Sequence, residues 1–192
     1  THKNNKDFGI AIKNPDYISF FDSINVDFFK IIEEDLNNDQ LVLNSLNSNA
    51  KSILVSTGMS NEEEIRKFYK KLENNNFKNK IILIHTTLSN KIDKVNLKSI
   101  KFLKDKFSCR VGYGNHCEDL RSLYLSLVYE PEYLMFYVKG SKVKKHIDEE
   151  YAVDLNNLDN LLDSIKKLKL SIGNYEKKKM SDIIPEDSVI NL

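Results

Sequence analysis

Two histidines close strand-like apolar runs: His85 in KIILIHTT and His116 in RVGYGNH. The C-terminal end of a strand is where a parallel α/β sheet carries its chemistry. Two imidazoles on one face there can ligate a divalent ion, with water or substrate oxygens completing the shell. Both also read as ordinary loop histidines. Cys109 and Cys117 flank the second run. Their spacing permits a disulfide, but two cysteines do not make a stapled scaffold, and a reducing, cytoplasmic setting is the default.

The elements that must position these side chains alternate. Apolar runs near residues 8–12, 28–32, 52–56, 80–84, 110–113 and 133–138 read as strands, separated mostly by amphipathic helical patterns. Strands that begin every 20 to 30 residues with helices between them have the βα period of a parallel sheet. Pro15 suits the first turn of a helix over PDYISFFDSI. NNDQLVLNSLN reads as a short helix with Leu41, Leu43 and Leu46 near its buried side. Ser60, with Glu63 three residues on, has capping-box spacing for NEEEIRKFYKKLEN. Ile65, Phe68, Tyr69 and Leu72 stripe that helix, and Glu62–Arg66 and Glu63–Lys67 pair along it. Leu97, Ile100, Leu103 and Phe107 stripe the next helix, and Leu120, Leu123, Tyr124 and Leu127 the one after. Leu155, Leu158, Leu162, Ile165, Leu168 and Ile172 stripe a last helix that Gly173 stops. No glycine-rich phosphate loop follows the first strand, which weakens a doubly wound nucleotide-binding reading. A six-stranded open sheet and a piece of an eight-stranded barrel both fit.

The 192 residues suit one domain with a sizeable core. The 29 basic and 28 acidic side chains leave a net charge of +1, so the chain lacks the clustered positive charge of a nucleic-acid binder. KVKK at 142–145 and EKKKM at 176–180 read as short solvated runs. No apolar stretch is long enough to span a bilayer, and no secretory leader is visible before Thr1.

Four stretches, in order, resemble the N-acetylneuraminate (sialic acid) synthase family, which includes the legionaminate and pseudaminate synthases. They are VDFFKIIEEDLNN at 26–38, ILVSTGMSNEEEI at 53–65, ILIHTTLSNKIDKVNLKSI at 82–100 and VGYGNHCEDLRS at 111–122. The resemblance implies a partial or divergent (β/α)8 barrel over residues 1–173, lacking the first two βα units and with them a catalytic glutamate. Residues 174–192 form a polar tail where relatives carry an antifreeze-like domain. The implied reaction condenses phosphoenolpyruvate with an N-acylated hexosamine to give a nine-carbon keto acid and phosphate. A divalent metal, manganese or magnesium, polarises the sugar aldehyde. By the same resemblance Lys30 contacts the phosphate or carboxylate, Ser56 and Thr57 supply hydroxyls near phosphoenolpyruvate, Asp35 matches an acidic position after a barrel strand, and His85 and His116 match the metal ligands. On the residues alone, Lys30 also reads as a solvated sheet-edge lysine, and the two hydroxyls as turn caps.

The departures from the family pattern are many. Glu33 stands for a serine at the phosphate site, Ala11 for a threonine, and Asn90-Lys91 for a Tyr-Pro pair. Asn115 replaces an aspartate, Phe136-Tyr137-Val138 replace Glu-Lys-His, and Glu150-Tyr151 replace Asp-His. A carboxylate beside a phosphate site repels the ligand unless it points away or is neutralised. The sequence therefore supports a synthase completed by a missing part or partner chain, or a synthase-like domain that acts in binding or assembly. Accidental similarity of an unrelated α/β protein is the third class. An incomplete barrel leaves a sheet edge that a partner chain or a second copy must cover.

Overall fold

The computed structural model describes residues 1–72, 77–140, 148–177 and 179. Six parallel strands lie side by side in chain order: β1 (Gly9–Ala11), β2 (Phe28–Ile31), β3 (Ser52–Ser56), β4 (Ile81–Thr86), β5 (Arg110–Gly114) and β6 (Leu134–Met135). The sheet does not close on itself, and the result is an open half-barrel. Helices α1 (Ile18–Ser23), α2 (Asp39–Asn47), α3 (Glu62–Leu72), α4 (Lys98–Phe107), α5 (Arg121–Ser126) and α6 (Leu158–Ile172) intervene or follow.

The sheet has two unlike faces because side chains alternate along each strand. Ile53, Val55, Ile81, Leu83, Val111 and Tyr113 join the main core, where they meet Ile65, Phe68, Leu72, Ile100, Leu103 and Leu123 of the helices. Leu54, Ile82 and Ile84 form a second, smaller cluster with Phe28 and Met135 inside the curve of the sheet. Burial on both faces explains the unbroken apolar runs of β3 and β4. On β5 the inner positions are glycines. A Cβ on Gly112 would stand 2.7 Å from Ile84 Cδ1, and one on Gly114 would stand 3.1 Å from Ile84 Cγ2. Glycine lets β5 lie this close to the inner side chains of β4.

The predicted βα order and curvature match the structure, with local differences. The run at 133–138 is not one strand. Leu134–Met135 pairs with β5, whereas β7 (Val138–Lys139) pairs with β8 (Val153–Asp154) in a separate two-stranded parallel sheet. The helix after β3 is capped by Asn61, not Ser60. Asn61 Oδ1 accepts from Glu64 N at 3.0 Å, while Glu64 Oε2 accepts from Asn61 N at 2.8 Å, which is the capping box shifted by one residue. The stripe of α3 is buried as expected, and its two i,i+4 ion pairs form. On α2, Val42 is buried and Leu43 is 41% exposed, because positions 41, 42, 45 and 46 share the inward face. The last helix begins at Leu158, after a 3-10 turn at Leu155–Asn157. Only Leu161 of α6 is fully buried, and Leu155, Leu162, Leu168, Leu170 and Ile172 are exposed. Gly173 ends it with a φ of 69°. KVKK at 142–145 and most of the tail lie outside the described residues.

Asp27 ties the base of the sheet together. Its carboxylate accepts from Phe8 N at 2.8 Å and meets His2 Nε2 at 2.6 Å and Lys51 Nζ at 2.7 Å. Its own backbone N–H donates to Phe8 O, and its carbonyl accepts from Lys51 N. These contacts join the entries to β1, β2 and β3. The Lys51 bond, then the Phe8 and His2 bonds, hold the Asp27 carboxyl far below the usual carboxylate range. Because the folded-state pKa is depressed, the stabilisation is present above the unfolded value of about 3.9 and is lost as pH falls below it. Asp27→Asn should lower the melting temperature at neutral pH by roughly 3–8 °C. The gap between wild type and variant should close as the pH is lowered below about 4. Thermal melts of both proteins across that range check this, and a gap that persists unchanged at low pH contradicts it.

Candidate functional site

Register places inner-face residues in layers. Lys30 pairs with Leu54, which pairs with Ile82; one layer further up, Ser56 pairs with Ile84 and Ile84 with Gly112. At the C-terminal end Thr86 pairs with Gly114 and Gly114 with Met135. Of these, Lys30, Ser56, Ile84, Thr86, Gly114 and Met135 line a cavity of about 370 Å³ inside the half-barrel, together with Ala11, Phe28, Asn115, His116, Phe136 and Tyr137. The C-terminal ends of parallel strands thus converge on one concavity.

Of the site residues implied by the resemblance, Lys30, Ser56 and His116 share this lining. Lys30 is half-buried, and its ammonium makes no hydrogen bond or ion pair among the described residues. Ser56 is fully buried, and its Oγ has no hydrogen-bond partner among the described residues. Thr57 and Asp35 do not line the cavity. The Thr57 N–H and Oγ1–H both donate to Ile84 O, at 3.1 Å each, which clasps the end of β3 to β4. Asp35 ends the short 3-10 turn after β2, where its N–H donates to Ile32 O.

His85 is turned the other way. The predicted strand stops at residue 84, but β4 continues to Thr86, so alternation sends His85 outward and Thr86 inward. The His85 ring is buried and stacks on Tyr113 with centroids 6.2 Å apart. Its Nε2 lies 3.0 Å from Val95 O; a carbonyl only accepts, so Nε2 carries the proton. Burial lowers the His85 pKa, opposed by the backbone groups of Val95 and Asn96. His116 sits at the cavity mouth against Tyr137 and Tyr151, with centroids at 5.5 and 5.0 Å. Burial, then the Lys30 charge, lowers the His116 pKa below 6.5, opposed by Glu33 and Asp148. Tyr151 donates to Asp148 Oδ1, and burial raises the Tyr137 and Tyr151 pKa values.

A manganese or magnesium ion would find one imidazole in this lining. His85 is committed to the loop before α4, and no cluster of three or more His, Cys, Asp or Glu suited to a metal occurs among the described residues. The two histidines therefore do not fit a shared metal site as arranged here.

Thr86 escaped the sequence reading, and Asn115 entered it only as the replacement of an aspartate. Asn115 is buried, and its Oδ1 accepts from Tyr113 O–H at 2.9 Å and Ser122 Oγ–H at 2.7 Å, while Nδ2 donates to Cys117 O at 2.8 Å. An aspartate could not make the last bond as a carboxylate. Burial pushes the Tyr113 pKa up to about 12, so it remains a donor to this network. The only sequence signal for Thr86 was its position one residue past an outward histidine. A larger cavity of about 650 Å³ lies against α6. Three of its charges are already engaged: Lys104 donates to Tyr129 O and Glu130 O, and Arg110 binds Glu132 and Asn79 O. The smaller, inner cavity is the candidate site.

Residues 13–177 match the NeuB family model. A Methanocaldococcus jannaschii protein is 30% identical over 175 residues, covering 88% of this chain and 51% of the relative. The N,N'-diacetyllegionaminic acid synthase of Campylobacter jejuni is 30% identical over 134 residues, covering 67% of this chain and 39% of that protein. The chain thus spans about half or less of the length of these relatives. The N-acetylneuraminic acid synthetase structure from Leptospira borgpetersenii superposes with a TM-score of 0.82 at 20% identity, over 94% of this chain and 63% of that one. Sequence match and half-barrel agree, and the chain belongs to the NeuB family.

Proposed function

We propose that this chain carries the phosphoenolpyruvate-binding part of a sialic-acid-synthase-like barrel, which condenses phosphoenolpyruvate with an N-acylated hexosamine. The observation that carries this reading is the Lys30 ammonium inside the half-barrel, unpaired among the described residues and sharing its cavity with the unpartnered Ser56 hydroxyl. A point charge beside a hydroxyl donor suits a phosphate or carboxylate. Thr57 supports the site from behind by fixing the β3–β4 junction. His116, neutral at pH 7 and at the mouth, stands where it can exchange a proton with an incoming sugar. In the reaction, C3 of phosphoenolpyruvate attacks the aldehyde carbon, water adds at C2, and the C2–O bond to phosphate breaks. A divalent ion would polarise the aldehyde; with one imidazole in the lining, no step is assigned to it.

Calorimetric titration with phosphoenolpyruvate should give saturable binding that Lys30→Met weakens by roughly tenfold or more. Absence of binding by the parent chain would sink the reading. Phosphate release with N-acetylmannosamine and related amino sugars, manganese present, should stay well below the usual enzyme range of roughly 1 per second. Glu33 and Asp148 bring negative charge close to His116, and the family's Glu-Lys-His is replaced by Phe136-Tyr137-Val138. Turnover in the usual range would restore the complete-enzyme account.

Binding or assembly without turnover is the second reading, and the open sheet favours it. The helix after the first edge strand exposes Phe20, with Tyr17 and Ile24 beside it, and the last helix exposes Leu162, Leu168, Leu170 and Ile172. Apolar faces beside a free strand edge favour association. Sedimentation velocity across a dilution series should show concentration-dependent association, reduced by Leu162→Glu with Leu170→Glu. A monomer at every concentration would count against this reading.

A further inference from the structure

We infer that Thr86 is the second hydroxyl donor of the anion subsite, beside Ser56 and in place of Thr57. The inference rests on the proposed anion-binding reading and assigns within it a residue that sequence comparison does not reach. Thr86 is 4% exposed, and its Oγ1 has no hydrogen-bond partner among the described residues. It lines the same cavity as Lys30 and Ser56. Ser56 is level with Ile84, and Thr86 stands two residues further along β4, so the two hydroxyls are diagonal neighbours on the inner face.

The surroundings of Thr86 keep its hydroxyl free. Its Cγ2 packs on Gly58, where a Cβ would come within 2.8 Å. On the other side Gly114 leaves space: a Cβ there would stand 3.6 Å from Thr86 Oγ1. The methyl is used for packing, and the hydroxyl is bonded by none of the described residues. Thr57 differs on this point, since its Oγ1 already donates to Ile84 O. A buried hydroxyl without a partner is destabilising, and two of them flanking one cavity beside an ammonium form a donor set for an anion. Hydroxyl donors from β3 and β4 and the cation from β2 then approach the phosphate or carboxylate from one wall of the half-barrel.

The test uses the full 192-residue chain, with inorganic phosphate and phosphoenolpyruvate as probes in calorimetric titration. Thr86→Val replaces the hydroxyl by a methyl of the same shape, and Thr86→Ser keeps the hydroxyl. Valine should weaken binding by roughly tenfold, and serine should restore most of it. Without ligand, the valine variant should melt at or above the parent's temperature, because an unpartnered hydroxyl has been removed without loss of a bond. Parent-like binding by the valine variant, with binding lost in Lys30→Met, would overturn the role of Thr86 and leave the anion site standing. No binding of either probe by the parent chain would overturn both. A clear drop in the melting temperature of the unliganded valine variant would also overturn the inference, since it would give Thr86 a structural bond.

Discussion

Successive side chains on a strand point to opposite faces, and in a half-barrel one face looks into the interior while the other meets the helices. Most of what this chain can do follows from that alternation. It places Lys30, Ser56 and Thr86 around one cavity and His85 and Tyr113 in the helix layer. A slip of one residue in any of the three central strands would exchange the two sets. The register is held by the apolar run on each outer face, by Gly112 and Gly114 against Ile84, and by Thr57 clasping Ile84 O.

The electrostatics of the site follow from the same geometry. Lys30 projects into a concavity lined by Phe28, Ile84 and Met135, an apolar surface on which an unpaired charge is strong. At the mouth, Glu33 and Asp148 act on His116 against Lys30 and burial. The cavity therefore runs from a cationic wall to an acidic, aromatic rim of His116, Tyr137 and Tyr151. Such a gradient suits an anion held deep with a polar, uncharged partner entering above it.

Much of the scaffold was legible in the sequence. The βα period, the stripe of α3 and the stop at Gly173 come from local periodicity and capping, which act within a few residues. Lys30 and Ser56 were legible through the family resemblance, and both fall within the predicted strands at 28–32 and 52–56. Strand ends were not. Extending β4 by two residues reverses the meaning of His85 and brings Thr86 inward, and no signal within KIILIHTT marks that end. The split at 134–139 depends on pairing with Val153, far along the chain. The hydrogen-bond hub at Asn115 likewise depends on Ser122 arriving from α5.

The central claim is that the inner face of the half-barrel receives an anion at Lys30 and Ser56. A crystal structure of the chain grown with phosphoenolpyruvate tests it directly. The account predicts phosphate or carboxylate oxygens within hydrogen-bond distance of Lys30 Nζ and Ser56 Oγ. Phosphoenolpyruvate bound elsewhere, with Lys30 turned away from it, would contradict the account.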